Sequence, residues 1–221
     1  MPHALPSSYL SGTCQVLRKH WPDNRTVNVV CHGHSVPSGY FATPMVDTFN
    51  AYPHLLHQAI KARFPYSVVN VIVTAIGGEN SQSGAKRFAA EVLCHRPDVV
   101  TIDYGLNDRG LGLAVARTAL QAMIEQSLAA GARVLLLTPT PDMTQAATAS
   151  PKERSPLQEH AQQIRALADE YGVGLVDSLA AFEKCVRDGA DLTDLLSWSN
   201  HPNRAGHELV AKLMLRYFPA A

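Results

Sequence analysis

The chain of 221 residues is short of cysteine and carries no net charge. Its four cysteines, Cys14, Cys31, Cys94 and Cys185, are widely spaced and form no C-x-x-C pair. Neither a disulfide framework nor a cysteine-based zinc site is indicated, and buried free thiols are expected. Lys and Arg number 19, as do Asp and Glu. No basic block stands out, which argues against a nucleic-acid partner. No apolar run approaches the roughly 18 residues of a membrane span, so no membrane partner is expected. The N-terminus, Met1-Pro2-His3-Ala4-Leu5-Pro6, has neither a basic start nor a long apolar stretch. It does not read as a signal peptide, which points to the cytoplasm; a chain already trimmed of its leader would read the same and would be secreted or periplasmic. Nothing in the residues specifies an oligomeric state.

What is present is ordinary for a globular protein: 46% hydrophobic and 17% charged residues. The length is ample for a sizeable core, and residues 1–221 read as a single domain. Continuous apolar, β-rich runs recur at Val27 to Cys31, Val68 to Ile76, Val99 to Asp103, Arg133 to Thr138 and Gly174 to Val176. Runs that do not alternate belong to strands covered on both faces. Helical patterns lie between them. Leu113, Ala116, Leu120, Met123, Ile124 and Leu128 form one stripe, stopped by Gly131. Others fall within Gly84 to His95, along Ile164 to Tyr171 before Gly172, and from His207 to Phe218. Strand–helix alternation predicts a parallel sheet of about five strands with helices on both faces. Pro139 to Pro156, rich in Pro, Thr, Ala and Ser, reads as a long loop.

The chemistry-bearing residues sit where these runs end. Ser35 follows the first strand in Cys31-His32-Gly33-His34-Ser35. Gly78 follows the second in Ile76-Gly77-Gly78-Glu79-Asn80, and Asn107 the third in Gly105-Leu106-Asn107-Asp108. His201 lies near the far end in Asn200-His201-Pro202-Asn203. In an open parallel sheet, ligands bind at the carboxyl ends of the strands where strand order reverses. If the first strand lies between the second and third, these residues converge. Acyl transfer needs a hydroxyl, a base to take its proton and donors for the oxyanion. A neutral histidine serves as base near neutral pH. Taken singly, each has a plainer reading: a turn serine, a turn glycine, a helix-capping Asn-Asp pair, a surface histidine.

Taken in this order, the four blocks resemble the SGNH hydrolases, the GDSL esterase/lipase superfamily, over residues 29 to 210. The Gly-x-Asn-Asp block matches in full. The resemblance implies a three-layer α/β/α sandwich of flavodoxin-like type and hydrolysis of small or medium acyl esters, acetylated sugars among them. It implies Ser35 as nucleophile, His201 as base, and an oxyanion hole from the N–H groups of Ser35 and Gly78 and the Asn107 amide. Water is the acceptor, a small-molecule ester the substrate, and no cofactor or metal is required. Tyr40, Phe41, Tyr104 and Trp198 flank the blocks and, with His34, are candidates to line a pocket.

Two positions depart from the family pattern. His34 stands where Gly-Asp-Ser has its acid, and Trp198 stands three positions before His201, where an aspartate is usual. The His201 ring then needs another partner. A backbone carbonyl within Ser197 to Asn200 is the expected acceptor; Asp194 folding back is the alternative, with Asp191 a weaker one. Two rival functions stay open. The His32/His34 pair, with His201 and His207, could serve a metal-dependent hydrolase, although no second H-x-x-x-H or cysteine pair completes a ligand set; His207 otherwise caps or packs. A binding module that has lost catalysis is the other.

Overall fold

The computed structural model describes residues 2–220. Five parallel strands make the sheet: β1 (Thr26–Gly33), β2 (Val68–Val73), β3 (Val99–Asp103), β4 (Arg133–Leu137) and β5 (Gly174–Val176), in the order β2-β1-β3-β4-β5. That is the flavodoxin-like order, and its reversal point lies between β1 and β3. The described helices are α1 (Ser11–Arg18), α2 (Ser35–Ser38), α3 (Tyr52–Arg63), α4 (Ser81–Glu91), α5 (Leu113–Ala129), α6 (Pro151–Tyr171), α7 (Ser178–Arg187) and α8 (Arg204–Leu215).

The apolar runs serve two cores, because successive strand residues face opposite ways. Val27, Val29 and Cys31 of β1 pack with Leu17 of α1, Leu56 and Ile60 of α3, Phe182 of α7 and Val210 and Met214 of α8. Val30 of β1, with Val100 and Ile102 of β3, packs instead with Phe88 of α4 and Leu120, Met123 and Ile124 of α5. Helix α6 supplies Leu157 and Ala161 to the first core and Ile164 and Leu167 to the second. Burying each such side chain contributes about 1.5–3 kcal/mol, which makes the two cores the main source of stability. The layers are therefore helix, sheet and helix, as the strand–helix pattern predicts.

Three expectations need correction. The stretch from Pro139 is a loop only as far as Ser150. Helix α6 starts at Pro151 because Ser150 and Glu153 form a capping box and Pro151 needs no N–H partner at the helix start. Pro156 is accommodated inside the helix rather than ending it. Helices α1, α2, α3 and α7 lie outside the predicted segments; Tyr52, Leu55, Leu56 and Ile60 of α3 carry the helical spacing, but Pro53 and two histidines obscure it. All four cysteines are free, yet only Cys14 and Cys31 are buried, and Cys94 is exposed. Burial pushes the Cys31 thiol up to about 12, which leaves it unreactive.

Strand β2 stops at Val73, short of Ile76, but the chain beyond it keeps pairing with β1. Thr74 N–H donates to the Cys31 carbonyl and Ile76 N–H to the Gly33 carbonyl, both at 3.0 Å. The Gly77-Gly78 turn is thereby delivered beside the end of β1. At that end the backbone is crowded: a Cβ on Gly33 would lie 2.5 Å from the Asp103 carbonyl oxygen and 2.9 Å from Pro37 Cγ. Gly33→Ala is therefore expected to destabilise the fold by about 1–3 kcal/mol, read as a melting temperature lower by roughly 2–4 °C per kcal/mol. Gly12→Ala in α1 meets nothing within 4 Å and should raise it by about 0.5–1 kcal/mol equivalent. Equal melting temperatures for the two variants would show that the β1 terminus is not tightly packed.

Candidate active site

The end of β1 turns directly into α2, with Ser35 as the first helical residue. The N–H groups of a first helical turn have no partner inside the helix, so they are available to an external acceptor. His201 arrives from the opposite end of the sequence. It sits just before α8, in a loop closed by a bridge between Leu196 and Pro202 and by Ser197 N–H donating to the His201 carbonyl at 2.9 Å. Asn203 fixes the start of α8, its side chain accepting from Gly206 N–H at 3.1 Å.

These two elements place His201 Nε2 2.9 Å from Ser35 Oγ. The other ring nitrogen, Nδ1, lies 2.7 Å from the carbonyl oxygen of Phe41. A carbonyl only accepts, so Nδ1 carries the proton and Nε2 is the acceptor facing the serine hydroxyl. Both residues are nearly buried, at 7% and 5% exposure for Ser35 and His201. Burial holds the His201 imidazole below its ordinary value of 6.5, while the Phe41 carbonyl pulls the other way. The ring is accordingly neutral at pH 7.

Phe41 belongs to a small turn in which Tyr40 bridges to Val46 and Phe41 N–H donates to the Met45 carbonyl at 3.1 Å. Its ring stacks on His207, centroids 5.3 Å apart. His207 is itself buried and its Nδ1 accepts Tyr52 N–H at 3.1 Å, at the start of α3. The expectation that His207 caps or packs is met on both counts.

Gly78 adopts φ of +78°, a conformation that favours glycine. The Asn107 amide donates to the Glu79 carbonyl at 2.9 Å, and Asp108 Oδ1 accepts Ser81 N–H at 2.8 Å at the start of α4. Asn107 and Asp108 thus staple the loops after β2 and β3 together. Burial pushes the Asp108 carboxyl up to about 6. Below the glycine turn, Glu79 accepts from Arg87 at 2.8 and 2.5 Å and from Tyr104 Oη at 2.7 Å. Burial raises the Glu79 carboxyl, but those bonds outweigh it and hold it below the usual range.

Several predicted site residues lie elsewhere. The carboxylate of Asp194 accepts from Asp191 N–H at 3.2 Å, and the pair forms a capping box on the short 3-10 turn Leu192–Leu195. Asp194 is therefore committed to its own turn, and no carboxylate bonds His201 among the described residues. The expected carbonyl in Ser197 to Asn200 is replaced by that of Phe41. His34 and Tyr104 are fully buried and line no open pocket. Trp198 is 69% exposed, on a shallow surface with Met143, Leu196 and Ser199. Of the aromatic candidates, Phe41 reaches the site through its carbonyl and Tyr40 through its ring, which is 6.2 Å from that of His201 and is where a Cβ on Gly77 would strike. His32 is spent on Thr74, Gly84 and Tyr104. No group of three His, Cys, Asp or Glu side chains suited to a metal ion occurs among the described residues. The Phe41 carbonyl was beyond sequence reasoning, because every residue has a carbonyl and none marks it.

A model of the GDSL-like lipase/acylhydrolase family matches residues 31–209. The chain belongs to that family and is a carboxylic ester hydrolase. An acetylxylan esterase of Geobacillus stearothermophilus is 22% identical over 170 residues, covering 71% of this chain and 75% of the relative. The crystal structure of Axe2, an acetylxylan esterase from Geobacillus stearothermophilus, superposes with a TM-score of 0.73 at 21% identity, covering 87% of this chain and 94% of the other. LAE5, an alpha/beta hydrolase enzyme from the metagenome of Lake Arreo, gives 0.72 at 21% identity over the same shares. Catalytic mutants of Axe2 replace a serine, a histidine and an aspartate three positions before that histidine. The corresponding offset from His201 here is occupied by Trp198.

The buried histidines make stability depend on pH. Burial lowers His32 to about 4 and His207 to about 3. Unfolded histidines take up protons near 6.5, so between that value and these the unfolded chain binds more protons than the folded one. Stability is full above about 6.5 and falls as pH drops toward 3. The melting temperature should decline from pH 6.5 to 4, with the raised carboxyl of Asp108 offsetting part of the fall; a constant value over that window would show that the two rings do not outweigh that single carboxyl.

Proposed function

We propose that the chain is a serine esterase in which Ser35 is the nucleophile and His201 the base, acting on acetyl esters of carbohydrates through an acyl-enzyme. The observation that carries the reading is the 2.9 Å contact of His201 Nε2 with Ser35 Oγ, with Nδ1 tied to the Phe41 carbonyl. Ser35 Oγ attacks the ester carbonyl while its proton passes to His201 Nε2. The imidazolium then protonates the leaving sugar oxygen, and the C–O bond breaks to leave acetyl on Ser35. Water attacks the acyl-enzyme, its proton goes to Nε2, and the returning proton restores the Ser35 hydroxyl as acetate leaves. The tetrahedral oxyanion would be met by the N–H groups of Ser35 and Gly78 and by the second N–H of the Asn107 amide, the first being held by Glu79.

The acyl preference follows from space and from the relatives. Ser35 is nearly buried, and Tyr40 stands between His201 and the glycine turn, which suits a small acyl group. The similarity to acetylxylan esterases points to an acetylated xylan or oligosaccharide as the alcohol side.

The test is acetate release from acetylated xylo-oligosaccharides, with p-nitrophenyl acetate as a generic ester and a fluorophosphonate probe read by mass spectrometry. Ser35→Ala should lose activity by roughly 10⁴–10⁶, and the probe should label Ser35. Full turnover by folded Ser35→Ala would end the serine-esterase reading. Activity on p-nitrophenyl acetate without release from the oligosaccharide would retain the mechanism and remove the substrate.

The roles around the pair separate by kinetics. Asn107→Ala should lower kcat by about 10²–10³ with KM little changed. Asp194→Asn should change kcat by less than about tenfold, whereas loss of a true triad aspartate costs roughly 10⁴. A collapse of Asp194→Asn with the fold intact by circular dichroism would restore a carboxylate triad.

A further inference from the structure

Three buried polar atoms without a hydrogen-bond partner gather near the α2 turn: His34 Nε2, Asp103 Oδ1 and Asp108 Oδ2. Two of them face each other, His34 Nε2 lying 3.5 Å from Asp103 Oδ1. His34 and Asp103 are 0% and 1% exposed, so bulk solvent reaches neither side chain. The opposite imidazole nitrogen, Nδ1, accepts Val36 N–H at 3.2 Å and caps α2. A ring nitrogen that accepts carries no proton. The proton of the neutral ring is therefore on Nε2, aimed at Asp103. On its far side Asp103 Oδ2 accepts from Tyr52 Oη at 3.2 Å. Ser35 follows His34 directly, in a helix of only 4 residues. The capping contact thus acts on the backbone that carries the hydroxyl.

We propose that His34 and Asp103 are a matched pair of positioning residues for Ser35. His34 stands at the position where the family pattern has the aspartate of Gly-Asp-Ser, and Asp103 at the end of β3 faces it. Asp103 selects the Nε2–H tautomer of His34, and that tautomer leaves Nδ1 free to hold Val36 N–H and the α2 turn. Neither side chain touches the substrate. Their effect reaches the reaction through the placement of Ser35, where an error of about 1 Å can cost 10²-fold in rate. An aspartate at position 34 would set a further carboxyl group beside Asp103 in the same buried site, where neighbouring carboxylates cannot all ionise together.

The proposal rests on Ser35 as nucleophile, and it makes a prediction opposite to the family pattern. His34→Asp, which recreates Gly-Asp-Ser, should lower kcat by about 10²-fold or more, with KM within about threefold. Adding Asp103→Asn should raise that variant at least tenfold. His34→Asn, whose amide offers an acceptor to Val36 and a donor to Asp103, should stay within about tenfold of the unmodified chain, whereas His34→Ala should fall about 10²-fold in kcat. If His34→Asp does not fold, the same coupling is read in the double variant, which must fold and turn over. Full activity of His34→Asp alone, or no gain from Asp103→Asn, would overturn the pairing. So would a loss confined to KM. Fluorophosphonate labelling keeps the two readings apart: an unlabelled Ser35 in the unmodified chain refutes the nucleophile, whereas a labelled Ser35 with uncoupled variants refutes only the pair.

Discussion

The geometry at the carboxyl end of the sheet hangs on one hydrogen bond, from His201 Nδ1 to the carbonyl of Phe41. It decides which ring nitrogen carries the proton, and so which one can accept from Ser35. A carbonyl does this as surely as a carboxylate, since both only accept. What it lacks is charge. A charge-assisted bond is roughly twice as strong as a neutral one and would stabilise the imidazolium as it forms. With a carbonyl, the orienting function is separated from the charge-stabilising one. Burial then dominates the ring, which keeps it neutral and ready to accept.

A carbonyl orients a base only if its own backbone is held. Phe41 is anchored by stacking on His207, His207 by Tyr52 N–H, and Tyr52 Oη by Asp103, which faces His34 beside Ser35. The contacts form a path from one side of the Ser35–His201 pair to the other, beneath the surface. It runs through α8, α3, β3 and the β1–α2 turn, elements far apart in the chain. On the other flank, Glu79 with Arg87, Tyr104 and His32 underlies the glycine turn. Burying such groups is costly unless each is paired. Here most are, and the unpaired exceptions include His34, Asp103 and Asp108 at the site.

The backbone needs of the site are met at two glycines. Gly78 takes a positive φ to turn back toward β1, and Gly33 lets the β1 backbone pass against the Asp103 carbonyl. A side chain at Gly33 would push β1 and β3 apart at the reversal of strand order, the line along which the site is built.

The residues alone determined much of this molecule. Continuous apolar runs interleaved with helical stripes imply a parallel sheet covered on both faces, because only such strands are buried on two sides. The ends of those runs also mark Ser35, Gly78 and Asn107, since the carboxyl ends of parallel strands share one edge of the sheet, and the order of the motif blocks adds His201. Spacing could not decide how the histidine is held. Asp194 is near His201 in sequence, but its carboxylate satisfies the N–H of Asp191, a local bond that forms at little entropic cost. The acceptor instead comes from Phe41, brought 160 residues across the sequence by the packing of a turn against α8. Likewise the His32/His34 pair reads as one motif, yet the fold sends the first ring to Thr74 and Tyr104 and the second to Asp103. Tertiary structure decided these matters for a single physical reason: backbone carbonyls and buried partners carry no mark in the sequence, and only the closed fold brings them within bonding distance.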